Sequence, residues 1–264
     1  MIKIAVTGAC GKMGGLIIEN VLKSQDLKLV AAIDVTNIGK DIGEVMRIKN
    51  LGVAVTDAKD IDNVLKTSKP DVLIDFTIAH AAVNNITASA RNKVNLVVGT
   101  TGFSPEQRAI IDKSIKDNGI AAVITPNFSI GMNVFWGLLA EAAKRLDDYD
   151  IEIIEAHHNQ KKDAPSGTAM KAAEVISQTL GGKELVYGRK GLAPRHKEIG
   201  IHAVRGGDIV GDHTVLFAGD GERIEIKHQA HSRSAFAKGA VRAAEWVSKE
   251  HPGIYEMSDV LGIK

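Results

Sequence analysis

Short apolar runs alternate with helical patterns along the first half of the chain. These runs are rich in Val and Ile and lack polar alternation, which is typical of parallel strands covered on both faces. Strands are predicted at 2–7, 27–33, 72–76, 96–98 and 120–124, and helices at 13–24, 61–68, 80–92 and 105–118. Because strand and helix alternate, the predicted fold class is α/β, with an N-terminal doubly wound, Rossmann-like parallel sheet.

The pattern changes after Pro126. Helices are predicted at 130–146, 166–180 and 235–248, and strands at 150–155, 199–205, 208–218 and 223–230. The last strands follow one another across two Gly-rich turns, Gly206-Gly207 and Gly219-Asp220-Gly221, so part of this sheet should be antiparallel. The second half is therefore predicted to form a C-terminal α+β domain with a mixed, open sheet.

Composition and charge exclude several classes of protein. The 264 residues include 33 Lys and Arg against 32 Asp and Glu, a net charge of +1, whereas nucleic-acid binding depends mainly on clustered basic charge. There is no apolar run of the roughly 18 residues that span a bilayer. One cysteine, Cys10, excludes a disulfide within the chain, and the first residues lack an export signal. We expect no nucleic-acid or membrane partner and a cytoplasmic location.

A glycine-rich loop links the first predicted strand to the first predicted helix. It reads Gly8-Ala9-Cys10-Gly11-Lys12-Met13-Gly14, and its bare backbone can meet a diphosphate at the helix N-terminus. The GxxGxxG spacing differs from the dinucleotide-binding GxGxxG, and a tight turn without a ligand would also use these residues. Asp34 favours the nucleotide, because it ends the second strand 20 residues after Gly14, where an acid accepts hydrogen bonds from the adenosine ribose.

Asp34 also bears on the choice of cofactor. Its carboxylate would repel a 2′-phosphate, and the neighbouring Val35 offers no compensating cation, so NADH is the favoured cofactor. NADPH stays possible, because Lys40 can reach such a phosphate if its loop folds back. The loop Gly99-Thr100-Thr101-Gly102 also follows a strand, at the sheet edge where ligands of such folds bind.

The segment from Glu155 to Ala169 combines titratable groups with the start of a helix. His157 and His158 are adjacent on extended backbone and therefore point to opposite sides. Ser166-Gly167-Thr168 offers backbone N–H groups at the positive end of a helix dipole, and Lys161 adds a charge nearby. Together these groups predict a small anionic substrate. A surface loop with incidental histidines is the alternative interpretation.

Zinc binding is the other chemistry that clustered histidines can serve. The candidate ligands are His157, His158, His213, His228 and His231. No HExxH or comparable spacing is present, and Lys161 would repel a cation, so no metal site is predicted.

The sequence resembles the dihydrodipicolinate reductase family along nearly its whole length. The resembling stretches are Gly8 to Gly14, Ile74 to Thr77, Gly99 to Phe103, Pro126 to Ser129, Glu155 to Ala169, and Arg205 to Gly207 with Gly211 to His213. They occur in the family's order, and the HHxxKxDAPSGTA stretch is highly specific to that family.

The resemblance implies reduction of 4-hydroxy-tetrahydrodipicolinate to tetrahydrodipicolinate by NAD(P)H, in lysine and diaminopimelate biosynthesis. It implies that His157 and Lys161 are catalytic, with His157 as the proton donor. The residues implied to bind the small dicarboxylate substrate are His158, Ser166, Gly167, Thr168 and Arg233. The residues implied to contact the cofactor are Gly8, Ala9, Cys10, Gly11, Lys12, Met13, Asp34, Gly99, Thr100, Thr101, Thr125, Pro126, Asn127 and Phe128.

The family's organisation implies a division of the chain into two domains. Residues 1–127 with 236–264 would form the dinucleotide-binding domain, and residues 128–235 the substrate-binding and oligomerisation domain of a homotetramer.

Two departures from the family pattern and two rival functions remain to be weighed. Val35 stands where many members carry an arginine used for NADPH, and Ile78 stands where some carry an arginine.

An aspartate-semialdehyde dehydrogenase would need a catalytic cysteine in its second domain, whereas Cys10 lies in the first. The alternative function is a non-catalytic NAD(H)-binding sensor, although the sequence shows no basic recognition helix.

Overall fold

The computed structural model describes residues 1–263. Its strands are β1 (Ile2–Thr7), β2 (Leu27–Asp34), β3 (Val55–Asp57), β4 (Val72–Asp75), β5 (Asn95–Val98), β6 (Ala121–Ile124), β7 (Asp150–His157), β8 (Leu185–Tyr187), β9 (Ile199–Arg205), β10 (Asp212–Gly219), β11 (Glu222–Gln229) and β12 (Gly253–Tyr255). Its helices are α1 (Lys12–Lys23), α2 (Ile42–Val45), α3 (Ile61–Ser68), α4 (Ala79–Arg91), α5 (Pro105–Asn118), α6 (Ile130–Arg145), α7 (Gly167–Thr179), α8 (Ser234–Val247) and α9 (Met257–Leu261).

The chain divides into two compact units. One unit contains residues 1–130 together with the chain from Arg233 onward, and the other contains residues 131–232. No helix within residues 1–263 is both long enough and apolar enough to cross a membrane.

The first unit is built on a seven-stranded sheet in which every neighbouring pair is parallel. The strand order is β12-β6-β5-β4-β1-β2-β3, which confirms the predicted doubly wound sheet. Two clusters of buried apolar side chains pack on it, as expected when helices cover both faces. Ligands of such sheets bind outside the carboxyl ends of the strands where the order reverses, which here is between β1 and β4.

The second unit contains a mixed five-stranded sheet with strand order β11-β10-β7-β9-β8. β10 is antiparallel to β7 and β11, while β9 is parallel to β7 and β8, so the predicted mixed sheet is confirmed. Only one of the two Gly-rich turns joins sheet neighbours. Gly219 to Gly221 connects β10 directly to β11, whereas the Gly206-Gly207 connection carries the chain past β7, which lies between β9 and β10.

One face of this sheet is buried and the other is not. Along β7, Ile151, Ile153, Glu155 and His157 are buried, and the residues between them are exposed or half-buried. The buried face packs with apolar side chains of α6 and α7 in a third core cluster. A carboxylate and a histidine therefore share a face with isoleucines.

The long elements match the predictions more closely than the short ones. Six elements of three to five residues were not predicted, namely α2, β3, β8, β12, α9 and a single 3-10 turn at Ala58–Asp60. The strand predicted at 208–218 begins only at Asp212, because residues 208–211 are needed to pass β7 before β10 can start. Short elements depend on packing against the rest of the unit, so their own sequence carries little periodicity.

Candidate functional site

The glycine loop of the first unit forms a tight turn between β1 and α1. A Cβ atom on Gly14 would lie only 2.1 Å from the carbonyl oxygen of Gly8, so a side chain at this position would collide with backbone. Gly11 is the N-cap of α1 and supplies no side-chain hydrogen bond, and the first turn contains no acidic residue. The first N–H groups of this helix therefore suit an anion such as a diphosphate.

Asp34 lies directly beside this loop at the end of β2. Its Oδ2 accepts a hydrogen bond of 2.9 Å from the backbone N–H of Cys10, and its Oδ1 accepts one of 2.7 Å from the N–H of Val35. The tertiary structure thus brings the acid and the glycine loop together. Burial and the neighbouring Asp34 raise the pKa of the Cys10 thiol, which argues against a reactive thiolate at this position.

A buried carboxylate organises the carboxyl ends of β4 and β5. Asp75 has no exposed surface, and its Oδ1 accepts a hydrogen bond of 2.7 Å from the Thr100 hydroxyl. Its Oδ2 accepts bonds of 2.7 Å from the Thr7 hydroxyl and the Asn85 amide. Asp75 therefore fixes the start of the Gly99 to Thr101 loop, although the sequence analysis assigned it no role.

The last predicted cofactor residues follow β6. The backbone N–H of Thr125 donates to the carbonyl oxygen of Val98 at 3.3 Å, and the ring centroids of Phe128 and Phe76 are 5.4 Å apart. Each predicted cofactor residue therefore follows the carboxyl end of a strand in the parallel sheet, namely β1, β5 or β6, or, in the case of Asp34, ends β2. Such an arrangement suits a dinucleotide, with its diphosphate at the start of α1 and its ribose at Asp34.

In the second unit, His157 ends β7 and is held by a carboxylate. Its Nδ1 lies 2.6 Å from Oε2 of Glu155, which has no exposed surface. Because a carboxylate only accepts hydrogen bonds, Nδ1 carries the proton of this contact. The other ring nitrogen, Nε2, lies over Gly211, where a Cβ atom would approach it to 3.1 Å.

Lys161 and His158 lie in the loop that follows β7. Lys161 Nζ lies 2.9 Å from Oδ1 of Asp163, and the lysine side chain is 22% exposed. A hydrogen bond from Lys161 lowers the pKa of the Asp163 carboxyl. The backbone N–H of Lys161 donates to the carbonyl oxygen of His158 at 3.1 Å, so a tight turn sets the spacing between these residues.

The start of α7 is the predicted anion site, and its first turn contains no acidic residue. Ser166 is the N-cap, and its Oγ accepts a hydrogen bond of 3.2 Å from the N–H of Ala169. The N–H of Ser166 donates to Oε1 of Glu155 at 3.0 Å. Gly167 follows as an exposed residue and Thr168 as a half-buried one. His157 and the start of α7 are therefore joined through one carboxylate.

Three residues of this site received no role in the sequence analysis. Arg205 donates from both terminal nitrogens to Glu155, at 2.8 Å each, and His213 Nε2 lies 3.1 Å from Ser166 Oγ. Strand alternation was the available signal for Glu155, since it shares the buried face with isoleucines. Arg205 and His213 come from β9 and β10, and only the strand order shows that both flank β7.

Two other residues of the sequence analysis belong to the first unit. Arg233 falls in the first unit, as the residue before α8, whereas the other residues assigned to the substrate lie in the second unit. Ile78 is the N-cap of α4 and is 71% exposed. Among residues 1–263, no three His, Cys, Asp or Glu side chains come together as a metal-ligand group.

Comparison with known proteins assigns the chain to a family. The family model for the N-terminus of dihydrodipicolinate reductase matches residues 2–128, and the model for its C-terminus matches residues 131–261. The chain belongs to the dihydrodipicolinate reductase family. Members of this reductase family are NAD(P)H-dependent oxidoreductases, and so is this chain.

Relatives from methanogenic archaea align over the full length of the chain. The 4-hydroxy-tetrahydrodipicolinate reductase of Methanosarcina barkeri is 64% identical over 263 residues, which cover 100% of both chains. The enzyme of that name from Methanococcoides burtonii is 66% identical over 262 residues, which cover 99% of this chain and 100% of the relative.

A solved structure shows the same architecture. Dipicolinate-bound dihydrodipicolinate reductase from Paenisporosarcina sp. TG-14 superposes with a TM-score of 0.81 at 30% identity, over 97% of each chain. The amine dehydrogenase of Mycobacterium smegmatis has a TM-score of 0.61 at 18% identity over 96% of this chain and 94% of its own, which reflects the shared fold alone.

Proposed function

We propose that the protein reduces 4-hydroxy-tetrahydrodipicolinate to tetrahydrodipicolinate with NADH, in lysine and diaminopimelate biosynthesis. The names of the full-length relatives and the dipicolinate in the related structure support this substrate. The observation that carries the proposal is the cluster around Glu155, which holds a histidine and a helix N-terminus side by side.

The substrate is a ring with two carboxylates, and the second unit offers groups that bind a dianion. The N–H groups of Gly167 and Thr168 lie at the positive end of α7, and the Lys161 ammonium lies in the preceding loop. A bound carboxylate would compete with Asp163 for that ammonium. His158 would contribute a further contact. Positioning and charge neutralisation by these groups would supply much of the rate enhancement.

His157 is the proposed proton donor. Loss of water from the substrate leaves a conjugated imine, whose reduction needs one hydride and one proton. A reduced nicotinamide supplies the hydride when bound. His157 supplies the proton from Nε2 when both of its ring nitrogens are protonated, and it keeps the Nδ1 proton that Glu155 holds.

Asp34 favours NADH as the cofactor. Its carboxylate stands where the 2′-hydroxyl of the ribose would bind, and Val35 beside it is 73% exposed and uncharged. The exposed Lys40 is the nearby cation that would allow NADPH to serve as well.

A homotetramer is part of the same proposal. The outer face of the second unit's sheet carries exposed apolar side chains on adjacent strands, Ile154 on β7 and Val204 on β9. Covering such side chains with further copies of the chain would remove them from water. Light scattering should then give about four times the chain mass of 28.2 kDa.

The decisive experiment is turnover with substrate generated in solution. Pyruvate is condensed with aspartate semialdehyde, and the oxidation of NADH and of NADPH is followed separately. We expect rapid NADH oxidation that depends on both precursors, and a strong loss of kcat in His157→Ala with Lys161→Ala while NADH affinity is kept. NADH binding without any oxidation of NADH or NADPH would instead favour the non-catalytic sensor.

A further inference from the structure

Glu155 makes an unusual number of contacts for one buried carboxylate. Its Oε2 lies 2.6 Å from His157 Nδ1 and 2.8 Å from a terminal nitrogen of Arg205. Its Oε1 accepts hydrogen bonds of 3.0 Å from the N–H of Ser166 and 2.8 Å from the other terminal nitrogen of Arg205. Both oxygens therefore have two donors each, and every partner belongs to the second unit.

A carboxylate without exposed surface persists in the charged form only when its neighbours compensate for lost hydration. Burial tends to raise the pKa of Glu155, but hydrogen bonds from Arg205, His157 and Ser166 outweigh it and lower that pKa. Arg205 is well suited to this role, because its planar fork matches both carboxylate oxygens. The result is an ionised Glu155 at neutral pH.

The two oxygens of Glu155 serve two different parts of the site. One oxygen fixes the tautomer and the ring orientation of His157, and the other holds the N-cap of α7, where the dianion is proposed to bind. Glu155 and Ser166 are eleven positions apart along the chain, so the segment between them does not set their distance by itself. The carboxylate joins the proton donor and the anion site directly.

We propose that Glu155 is a positioning residue for the reduction, with Arg205 as its counter-ion. It acts through His157, by directing Nε2 toward the substrate. It also acts through Ser166, by holding the start of α7 in a fixed position relative to that nitrogen. The inference rests on the proposed function, since it presumes that His157 donates the proton.

A double-mutant cycle in kcat tests whether Glu155 acts through His157. Glu155→Gln should lower kcat on the order of 100-fold, because an amide cannot satisfy both Arg205 and the His157 N–H. In a His157→Gln background the same change should lower kcat no more than about tenfold, because the residue that it orients is gone and only its contact with Ser166 remains. Equal losses in both backgrounds would overturn the proposal.

Glu152→Gln provides a matched control on the same strand. Glu152 lies on the opposite face of β7 and also contacts a histidine and an arginine, with His202 Nε2 at 2.7 Å and Arg195 Nε at 3.1 Å. This variant loses a comparable ionic cluster but should keep kcat within about twofold. A loss of kcat equal to that of Glu155→Gln would assign the effect to general weakening of the sheet and overturn the proposal.

Two further measurements separate the possible failures. If Glu155→Gln does not fold, Glu155→Asp keeps the charge for Arg205 while withdrawing the carboxylate by one methylene, and it should still lower kcat at least tenfold. Wild-type kcat in a folded Glu155→Asp or Glu155→Gln would overturn the positioning role alone. Absence of turnover in the wild-type protein would instead overturn the proposed function.

Discussion

Ser166 Oγ lies 3.1 Å from His213 Nε2, inside the second unit. His213 is 4% exposed, and its Nδ1 has no hydrogen-bond partner within residues 1–263. Burial above all, with the charge of His157, lowers the pKa of His213 to about 4, against the opposing effect of Glu155. His228 lowers this pKa further and Asp212 opposes the shift. His213 is therefore neutral wherever the enzyme is expected to work.

This lowered pKa predicts a loss of stability in mild acid. Below about pH 6.5 the unfolded chain protonates His213, whereas the folded chain does not do so until about pH 4, so the free energy of unfolding falls as pH falls through this window. Between pH 7 and pH 5 the loss from this one group should be about 2 kcal/mol.

His213→Gln should remove this dependence. Urea unfolding at pH 7, 6 and 5 measures the free energy of unfolding at each pH. Between pH 7 and pH 5 this free energy should fall by about 2 kcal/mol less in the variant than in the wild type. His80→Gln, at an exposed position on α4, is the control and should follow the wild-type curve. If the free energy of unfolding fell equally with pH in His213→Gln and in the wild type, His213 would not account for the acid sensitivity.

Replacing either of two adjacent glycines in α1, Gly14 and Gly15, by alanine should change the stability in opposite directions. A Cβ atom on Gly14 would meet the backbone oxygen of Gly8 at 2.1 Å, whereas one on Gly15 would meet nothing within 4 Å. Gly14→Ala should lower the free energy of unfolding by about 3 kcal/mol and weaken NADH binding, because α1 must move away from β1. Gly15→Ala should raise stability by up to about 1 kcal/mol, since alanine favours the helix.

Thermal unfolding of the two variants and NADH titration check this prediction. If Gly14→Ala were as stable as the wild type and bound NADH normally, the prediction would be wrong. The glycine loop would then accommodate a side chain at position 14 in spite of the short distance to the carbonyl oxygen of Gly8.

Gly211 limits the position of the His157 ring. A Cβ atom at Gly211 would lie 3.1 Å from His157 Nε2, which is closer than ordinary contact, so the ring must shift by a few tenths of an ångström. Gly211→Ala should lower kcat by about tenfold with little change in thermal stability, because a proton donor must be well placed.

Gly206→Ala is the matched control for this change. A Cβ atom on Gly206 would have no neighbour within 4 Å, although the residue lies just beyond β9 and its N–H donates to the carbonyl oxygen of His157. Steady-state kinetics should leave kcat of this variant near that of the wild type. Similar kcat values for both alanine variants would contradict the proposed contact.

Cofactor preference should shift when a cation is placed beside Asp34. Val35→Arg should raise kcat/KM for NADPH about tenfold relative to NADH, because a guanidinium pairs with the 2′-phosphate that Asp34 repels. Ile38→Arg, at another exposed position in the same loop, is the control for added charge alone. Equal shifts in both variants would indicate general electrostatic attraction instead of a specific contact.

The local sequence was sufficient for the long elements and for several candidate residues. Ser104, Pro105 and Gln107 predict the start of α5, and the structure shows the reciprocal capping hydrogen bonds there. The valine-rich and isoleucine-rich runs predict the parallel strands, because a strand covered on both faces needs apolar residues at every position. The glycine loop is predictable for a similar reason, since its chemistry resides in consecutive residues.

The strand order of the second sheet and the contacts across it were decided by the tertiary structure. His157, Lys161 and Ser166 stand close together in sequence, so the segment from Glu155 to Ala169 by itself indicated an anion site with a titratable group. Arg205 and His213 reach this segment only because β9 and β10 flank β7, and no local pattern encodes which strands become neighbours. Pairing distant strands depends on burying one whole face of a sheet, and that burial also turns Glu155 from an ordinary strand residue into the carboxylate that links His157 to α7.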